Sequence, residues 1–215
     1  MSPRLAGAIL ALIFAGSAGS GLLAIRSKPQ QSDASKKSPD ALATQALDSG
    51  LKRLEKADQV ELKNPKQARK EYEAALKDFQ IAATAAPNNY RAHNGAGYAM
   101  RKLGDYQRAL ESYDRALTLA PTSSEAIEYR AEAYLGLNRL DDAKQAYMHL
   151  FVHDRTASNV LMKAMKAWAE KHRAQPASFD RVDSATVDAF NTWIRERDTL
   201  ASSVGNLGHN SPDWK

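Results

Sequence analysis

The 215-residue chain is long enough for one modest domain with extensions, and its 43% hydrophobic and 26% charged residues allow a folded core. Its net charge of +5 comes from 30 basic and 25 acidic residues that are interspersed, whereas nucleic-acid-binding proteins more often show a dense basic face. The absence of cysteine excludes disulfides, thiolate metal sites and a cysteine nucleophile. From the interspersed charges we expect no nucleic-acid partner.

The N-terminus carries an uncharged apolar segment, Leu5–Ile25, directly after Arg4. As a helix, this segment of 21 residues would span about 30 Å, enough for the core of a bilayer. Alternatively, a short apolar run that ends at Phe14 precedes the small residues AGSAGS, which are typical of a signal-peptide cleavage site. The sequence thus predicts either a signal peptide or an uncleaved transmembrane anchor over residues 1–25, with membrane contact only through residues 5–25.

Residues 26–38 are rich in Ser, Lys, Gln and Pro, which is typical of a flexible linker. No cysteine follows the apolar segment, so a lipoprotein anchor is excluded. The apolar segment within residues 1–25 and the linker that follows it together predict a protein of the cell envelope. It would be exported to the periplasm or held at the inner membrane by its N-terminal helix.

Helical periodicity begins after the linker and continues to about residue 155. The predicted helices cover residues 39–62, 66–85, 90–103 and 106–119, followed by a further pair within 124–155. Ser38 marks the start of the first helix, and Asn88 or Asn89 can cap the third. Thr122 and Glu125 have the spacing of a capping box and are expected to begin the fifth.

A shift of 34 residues superimposes parts of this stretch on one another. The matches pair Gly97 with Ala131, Gly104 with Asn138, Ala109 with Ala75 and Ala143, Tyr113 with Phe79 and Tyr147, and Pro121 with Pro87. Small residues are expected where antiparallel helices cross closely, and Gly or Asn suits a left-handed turn between them. The period therefore predicts stacked two-helix repeats that bury a continuous core.

The segment from Tyr90 to Thr122 resembles the tetratricopeptide repeat (TPR) family, as found in bacterial envelope proteins. Residues of the family's preferred types are Gly97, Gly104, Asp105, Tyr106, Ala109, Tyr113, Ala116 and Pro121. His93 stands where the family prefers Trp, and Met100 where it prefers Tyr. The resemblance implies an all-α, short helix-turn-helix solenoid over residues 39–157. It would comprise a divergent unit at 39–89 and better units at 90–123 and 124–157.

The C-terminal part is expected to cap the solenoid. Residues 158–204 contain two amphipathic helical patterns, one with a stripe at Val160, Leu161, Ala164, Met165 and Trp168, the other at about 184–201. Residues 205–215 show no period and are expected to form a mobile tail.

Catalysis is not expected from this sequence. It contains no P-loop, no dinucleotide-binding glycine pattern and no nucleophile elbow, so we predict neither catalytic residues nor a cofactor. His149 and His153 are four residues apart on a predicted helix, a spacing that can hold a metal. Because a zinc site needs three or four ligands, a metal-dependent enzyme is the weakest alternative, and no metal site is predicted.

Recognition is the chemistry that remains. The first helix of each pair in a helical-repeat solenoid lines its concave side. The predicted groove residues are Arg91, Asn94, Tyr98, Arg101, Glu125, Glu128 and Glu132. The resemblance implies a peptide or helix of a protein partner, in a non-catalytic interaction module or assembly scaffold. The family's best-known mode clamps a C-terminal carboxylate with cations, but Glu125 and Tyr129 stand where such cations would lie. The other alternative is homo-oligomerisation or tethering through the C-terminal helices.

Overall fold

The computed structural model describes residues 38–174 and 182–209, all of which belong to one compact unit, Lys37–Lys215. Every regular element in these ranges is a helix, and the predicted all-α solenoid is confirmed. The helices are α1 (Pro39–Val60), α2 (Pro65–Ala85), α3 (Tyr90–Lys102), α4 (Tyr106–Leu119), α5 (Ser124–Gly136), α6 (Leu140–His153), α7 (Arg155–Ala174) and α8 (Ser184–His209). The predicted leader and most of the predicted linker, residues 1–37, lie outside the described ranges. Within those ranges, no helix combines the length and apolarity that crossing a membrane requires.

Side-chain caps fix where most of the helices begin. Ser38 accepts a hydrogen bond from Ala41 N, and Asn89 accepts one from Arg91 N, as their positions before α1 and α3 predicted. The expected cap at Thr122 is wrong, because Ser123 is the residue whose side chain accepts from a backbone amide of α5. The chain therefore enters α5 one residue later than the capping-box spacing indicates.

Two left-handed residues close the turns between paired helices. Gly104, between α3 and α4, has a φ of 86°, and Asn138, between α5 and α6, has a φ of 58°. Asp105 N donates to Met100 O at 2.9 Å, which satisfies a carbonyl at the end of α3. The predicted turn chemistry at both positions is confirmed.

The helices pack as successive antiparallel pairs whose first helices also contact one another. Helix α1 contacts α3, α3 contacts α5, and α5 contacts α7. Each second helix packs on its own partner and on the first helix of the next pair. The first helices therefore form one continuous inner surface, on which the predicted groove residues lie.

Aromatic rings fill the gaps left by small residues at the crossings. A Cβ added to Gly50 on α1 would lie 2.8 Å from the Phe79 ring, and one added to Gly95 on α3 would lie 2.5 Å from it. Likewise, a Cβ on Gly97 would lie 2.7 Å from Tyr113. Both rings are fully buried, so the glycines are required by close packing and not by backbone conformation.

Helices α7 and α8 follow the repeats, with boundaries that differ from those expected. The buried stripe of α7 contains Leu161, Met162, Met165 and Trp168, whereas Val160, predicted to belong to it, is exposed. Helix α8 continues to His209, beyond the predicted end near residue 201 and into the first part of the expected tail. Glycine disfavours helix without preventing it, and the glycines in the last turns of α8 explain why its end was predicted too early in the chain. Residues 210–215 lie outside the described ranges.

Candidate functional site

The inner surface carries a cavity of about 340 Å³ to which three first helices contribute. Its lining residues are Leu51, Leu54, Glu55 and Asp58 of α1, Arg91, Asn94, Gly95 and Tyr98 of α3, and Glu125 and Tyr129 of α5. We call it the inner cavity. Four of the seven predicted groove residues line it, namely Arg91, Asn94, Tyr98 and Glu125.

These four side chains differ in their access to solvent. Arg91 and Glu125 are exposed, so both are available to a ligand. Tyr98 is half-buried, and Asn94 is only 6% exposed. Within the described residues, the Asn94 Oδ1 has no hydrogen-bond partner. A buried amide oxygen without a partner is costly, so a donor that reached Asn94 would be favoured.

Asp58 connects α1 to the next repeat. Its Oδ2 accepts a hydrogen bond from the Tyr98 hydroxyl at 2.9 Å, and its Oδ1 accepts one from the Tyr72 hydroxyl at 2.5 Å. Burial and the Asp58 carboxylate both raise the pKa of Tyr98 above its ordinary value. Tyr98 therefore stays protonated near neutral pH and acts as a donor.

Arg101 is largely covered by its neighbours on this surface. It forms an ion pair with Glu132, and its guanidinium lies 4.9 Å from the centroid of the Tyr98 ring and 5.4 Å from that of Tyr129. Burial lowers the pKa of Arg101, but Glu132, Tyr113 and Tyr98 together outweigh burial, so the pKa is raised and the residue stays charged. Arg101 was predicted as an exposed groove residue, and the structure places it largely inside.

Glu128 is also buried, at 7% exposure, although it was predicted to face a partner. Burial raises the pKa of Glu128 to about 8, with a further contribution from Glu132 and an opposing one from Arg101. Glu128 therefore carries a proton near neutral pH. Two carboxyl groups and one guanidinium thus share a poorly hydrated region of the inner surface.

A second cavity, of about 490 Å³, continues along the inner surface toward α7. Arg101 and Glu132 line it on one side, and Trp168 and His172 on the other. Lys102 Nζ, also at this cavity, lies 2.5 Å from an oxygen of Glu61. The seven predicted groove residues thus divide into four at the inner cavity, two at this second cavity, and Glu128, which lines neither.

His149 and His153 lie on the exposed side of α6, and their ring centroids are 4.6 Å apart. His153 was expected at a half-buried packing position, and the structure shows it exposed. In the part of the chain that the structure describes, there is no cluster of three or more potential metal ligands. The pair therefore remains a two-ligand pattern without further support.

Comparison with protein families identifies the repeats. A tetratricopeptide repeat model matches residues 58–124, and a second model of the same repeat matches residues 100–168, so that together they cover more than half of the chain. The chain belongs to the tetratricopeptide repeat family. Among solved structures it is similar to the Arabidopsis OM64 TPR domain, with 17% identity, a TM-score of 0.44, and coverage of 59% of this chain and 98% of that one. TPR domains generally bind protein partners and are typically non-catalytic, so the repeats indicate a protein–protein interaction module.

Proposed function

We propose that the protein binds an extended or helical segment of a partner along its inner surface. The observation that carries this proposal is the inner cavity, because residues of α1, α3 and α5 converge there. Exposed charges at its lining, such as Arg91 and Glu125, sit beside half-buried rings. A preformed surface of charges and aromatic rings can bind a segment without an additional entropic cost for ordering its own side chains.

The structure changes the choice of variants for testing the groove. Asn94 is buried, and Arg101 is largely covered and paired with Glu132, so their removal would also destabilise the fold. Arg91 and Glu125 are exposed cavity residues and are better probes. A matched control replaces Gln107 and Glu111, which are exposed on α4 and do not line the cavity.

The test is crosslinked capture from an envelope extract with the full-length chain as bait. The proposal predicts a partner that the wild type and the Gln107→Ala/Glu111→Ala control both retain. The Arg91→Ala/Glu125→Ala variant should lose that partner while keeping its melting temperature. A partner held equally by all three baits would contradict binding in the groove.

We further propose that the module works in the cell envelope, attached to or exported past the inner membrane. Support comes from the uncharged Leu5–Ile25 segment and the polar residues that separate it from α1. Cell fractionation followed by mass spectrometry of the N-terminus distinguishes a cleaved, exported protein from one that stays attached to the inner membrane. Recovery of the protein only in the cytosolic fraction would contradict the proposal.

A further inference from the structure

The inner cavity has a one-sided charge balance. Three carboxylates line it, those of Glu55, Asp58 and Glu125, against the single guanidinium of Arg91. Arg91 and Glu125 are 34 residues apart, at equivalent positions of successive repeats. The positive charge of Arg91 therefore offsets the negative charge of Glu125. Glu55 and Asp58 have no such counterpart in the lining. The cavity therefore favours a positively charged group over an anion.

A buried acceptor supports the same polarity independently of the acidic groups. Asn94 lines the cavity, is nine-tenths buried, and its Oδ1 has no partner within the described residues. An ammonium or guanidinium group has only donors and no acceptor. Neighbouring atoms cover this oxygen, so either group could donate to it only after the Asn94 side chain turns toward the cavity, whereas a carboxylate has no proton to donate.

The rest of the lining suits the stem of a long basic side chain. Leu51 and Leu54 are half-buried apolar residues of the cavity. Tyr98 and Tyr129 pack edge to face with centroids 4.9 Å apart. Lysine and arginine bury their methylene stems on apolar surface while the charged head seeks polar partners. A volume of about 340 Å³ lies at the low end of the usual range for ligand pockets, which fits one side chain better than a large ligand.

We propose that the inner cavity binds a lysine or arginine side chain of the partner segment. The inference rests on the proposed function and adds the chemistry of the partner. The head group would lie among Asn94, Asp58 and Glu55, with its stem against the leucines and tyrosines. This polarity is opposite to that of a clamp for a C-terminal carboxylate.

The test uses blocked pentapeptides Ac-Gly-Gly-X-Gly-Gly-amide with X as lysine, arginine, norleucine or glutamate. Each is titrated into the ¹⁵N-labelled full-length protein while the side-chain amide of Asn94 is followed by NMR. We expect saturable shifts with lysine or arginine and none with norleucine or glutamate. Glu55→Gln/Glu125→Gln should weaken binding roughly tenfold, because it removes the charged contact at Glu55 and leaves the Arg91 guanidinium without the opposing charge of Glu125 in the cavity. Glu111→Gln on α4 is the matched control and should bind like the wild type.

Equal shifts with lysine and norleucine, preferential binding of the glutamate peptide, or no saturable shift at all would overturn the proposal. So would unchanged affinity of the Glu55→Gln/Glu125→Gln variant with a wild-type melting temperature. These results are distinguishable from failure of the groove proposal. If Arg91→Ala/Glu125→Ala still loses its partner in crosslinked capture, the groove function stands and only the basic side chain is wrong.

Discussion

The Tyr98 hydroxyl of α3 donates a hydrogen bond to the Asp58 carboxylate of α1 at 2.9 Å, across the boundary between two helix pairs. The same carboxylate accepts from Tyr72 of α2. Asp58 thus ties three helices together at the edge of the inner cavity. The inner cavity and the packing of the first two pairs are therefore coupled.

Removing this hydrogen bond should destabilise the protein modestly. Tyr98→Phe leaves the ring in place but deletes the donor to a charged acceptor, which costs about 1–3 kcal/mol. Urea unfolding followed by circular dichroism measures the change in the free energy of unfolding. Tyr90→Phe, at an exposed tyrosine, serves as a control and should be close to neutral. Equal losses in the two variants would show that the Asp58 contact contributes nothing.

Gly95 should not tolerate even a methyl group. Its Cβ would lie 2.5 Å from the ring of Phe79, which is fully buried and is also close to Gly50. We expect Gly95→Ala to lower the free energy of unfolding by about 1–3 kcal/mol through overpacking. In a Phe79→Leu background the same substitution should cost less, because the ring edge is gone. A double-mutant cycle measures this difference, and identical costs in both backgrounds would disprove the contact.

Replacing Arg101 alone should destabilise the protein more than replacing Arg101 and Glu132 together. Arg101→Met leaves the Glu132 carboxylate without its cation beside buried Glu128, and breaking a buried ion pair costs about 3–5 kcal/mol. The double variant Arg101→Met/Glu132→Met removes both charges and should be more stable than the single one. Thermal unfolding of the three proteins decides this point. Additive losses would contradict an ion pair between the two residues.

The raised pKa of Glu128 predicts a specific pH dependence of stability. Because the pKa in the folded protein, about 8, exceeds that of an unfolded glutamate, the folded state holds a proton that the unfolded state has released. The contribution of Glu128 to stability is therefore fully present at acid pH and is lost as the pH rises through 8. Glu128→Gln should gain melting temperature relative to wild type as the pH is raised from 5 to 9. A pH-independent difference between the two would contradict the raised pKa.

The repeat itself could be predicted from the sequence because its spacing is set by packing. Gly97, Gly104 and Tyr113 each have a role that only a few residue types can fill, and those types recur at a fixed period. The turn at Asn138 followed from the same argument. The bounds of α3 and α4 could also be predicted, because the candidate capping residue Asn89 precedes α3 and Pro121 follows α4.

The site was less predictable because burial depends on neighbours from distant parts of the chain. Helical spacing placed Arg101 and Glu128 on the inner face but could not show that Tyr98, Tyr129 and Glu132 cover them. Asp58 and Glu55 were missed because α1 was treated as part of a divergent unit.

The central claim is that partners bind the inner surface, and site-specific photocrosslinking tests it most directly. A benzophenone amino acid placed at position 91 or 125 faces the inner cavity, and one at position 107 lies on α4 outside it. In cells that express the full-length chain, we expect a crosslinked adduct with a discrete partner from positions 91 and 125 and none from 107. Adducts from position 107 alone, or equally from all three positions, would contradict binding at the inner surface.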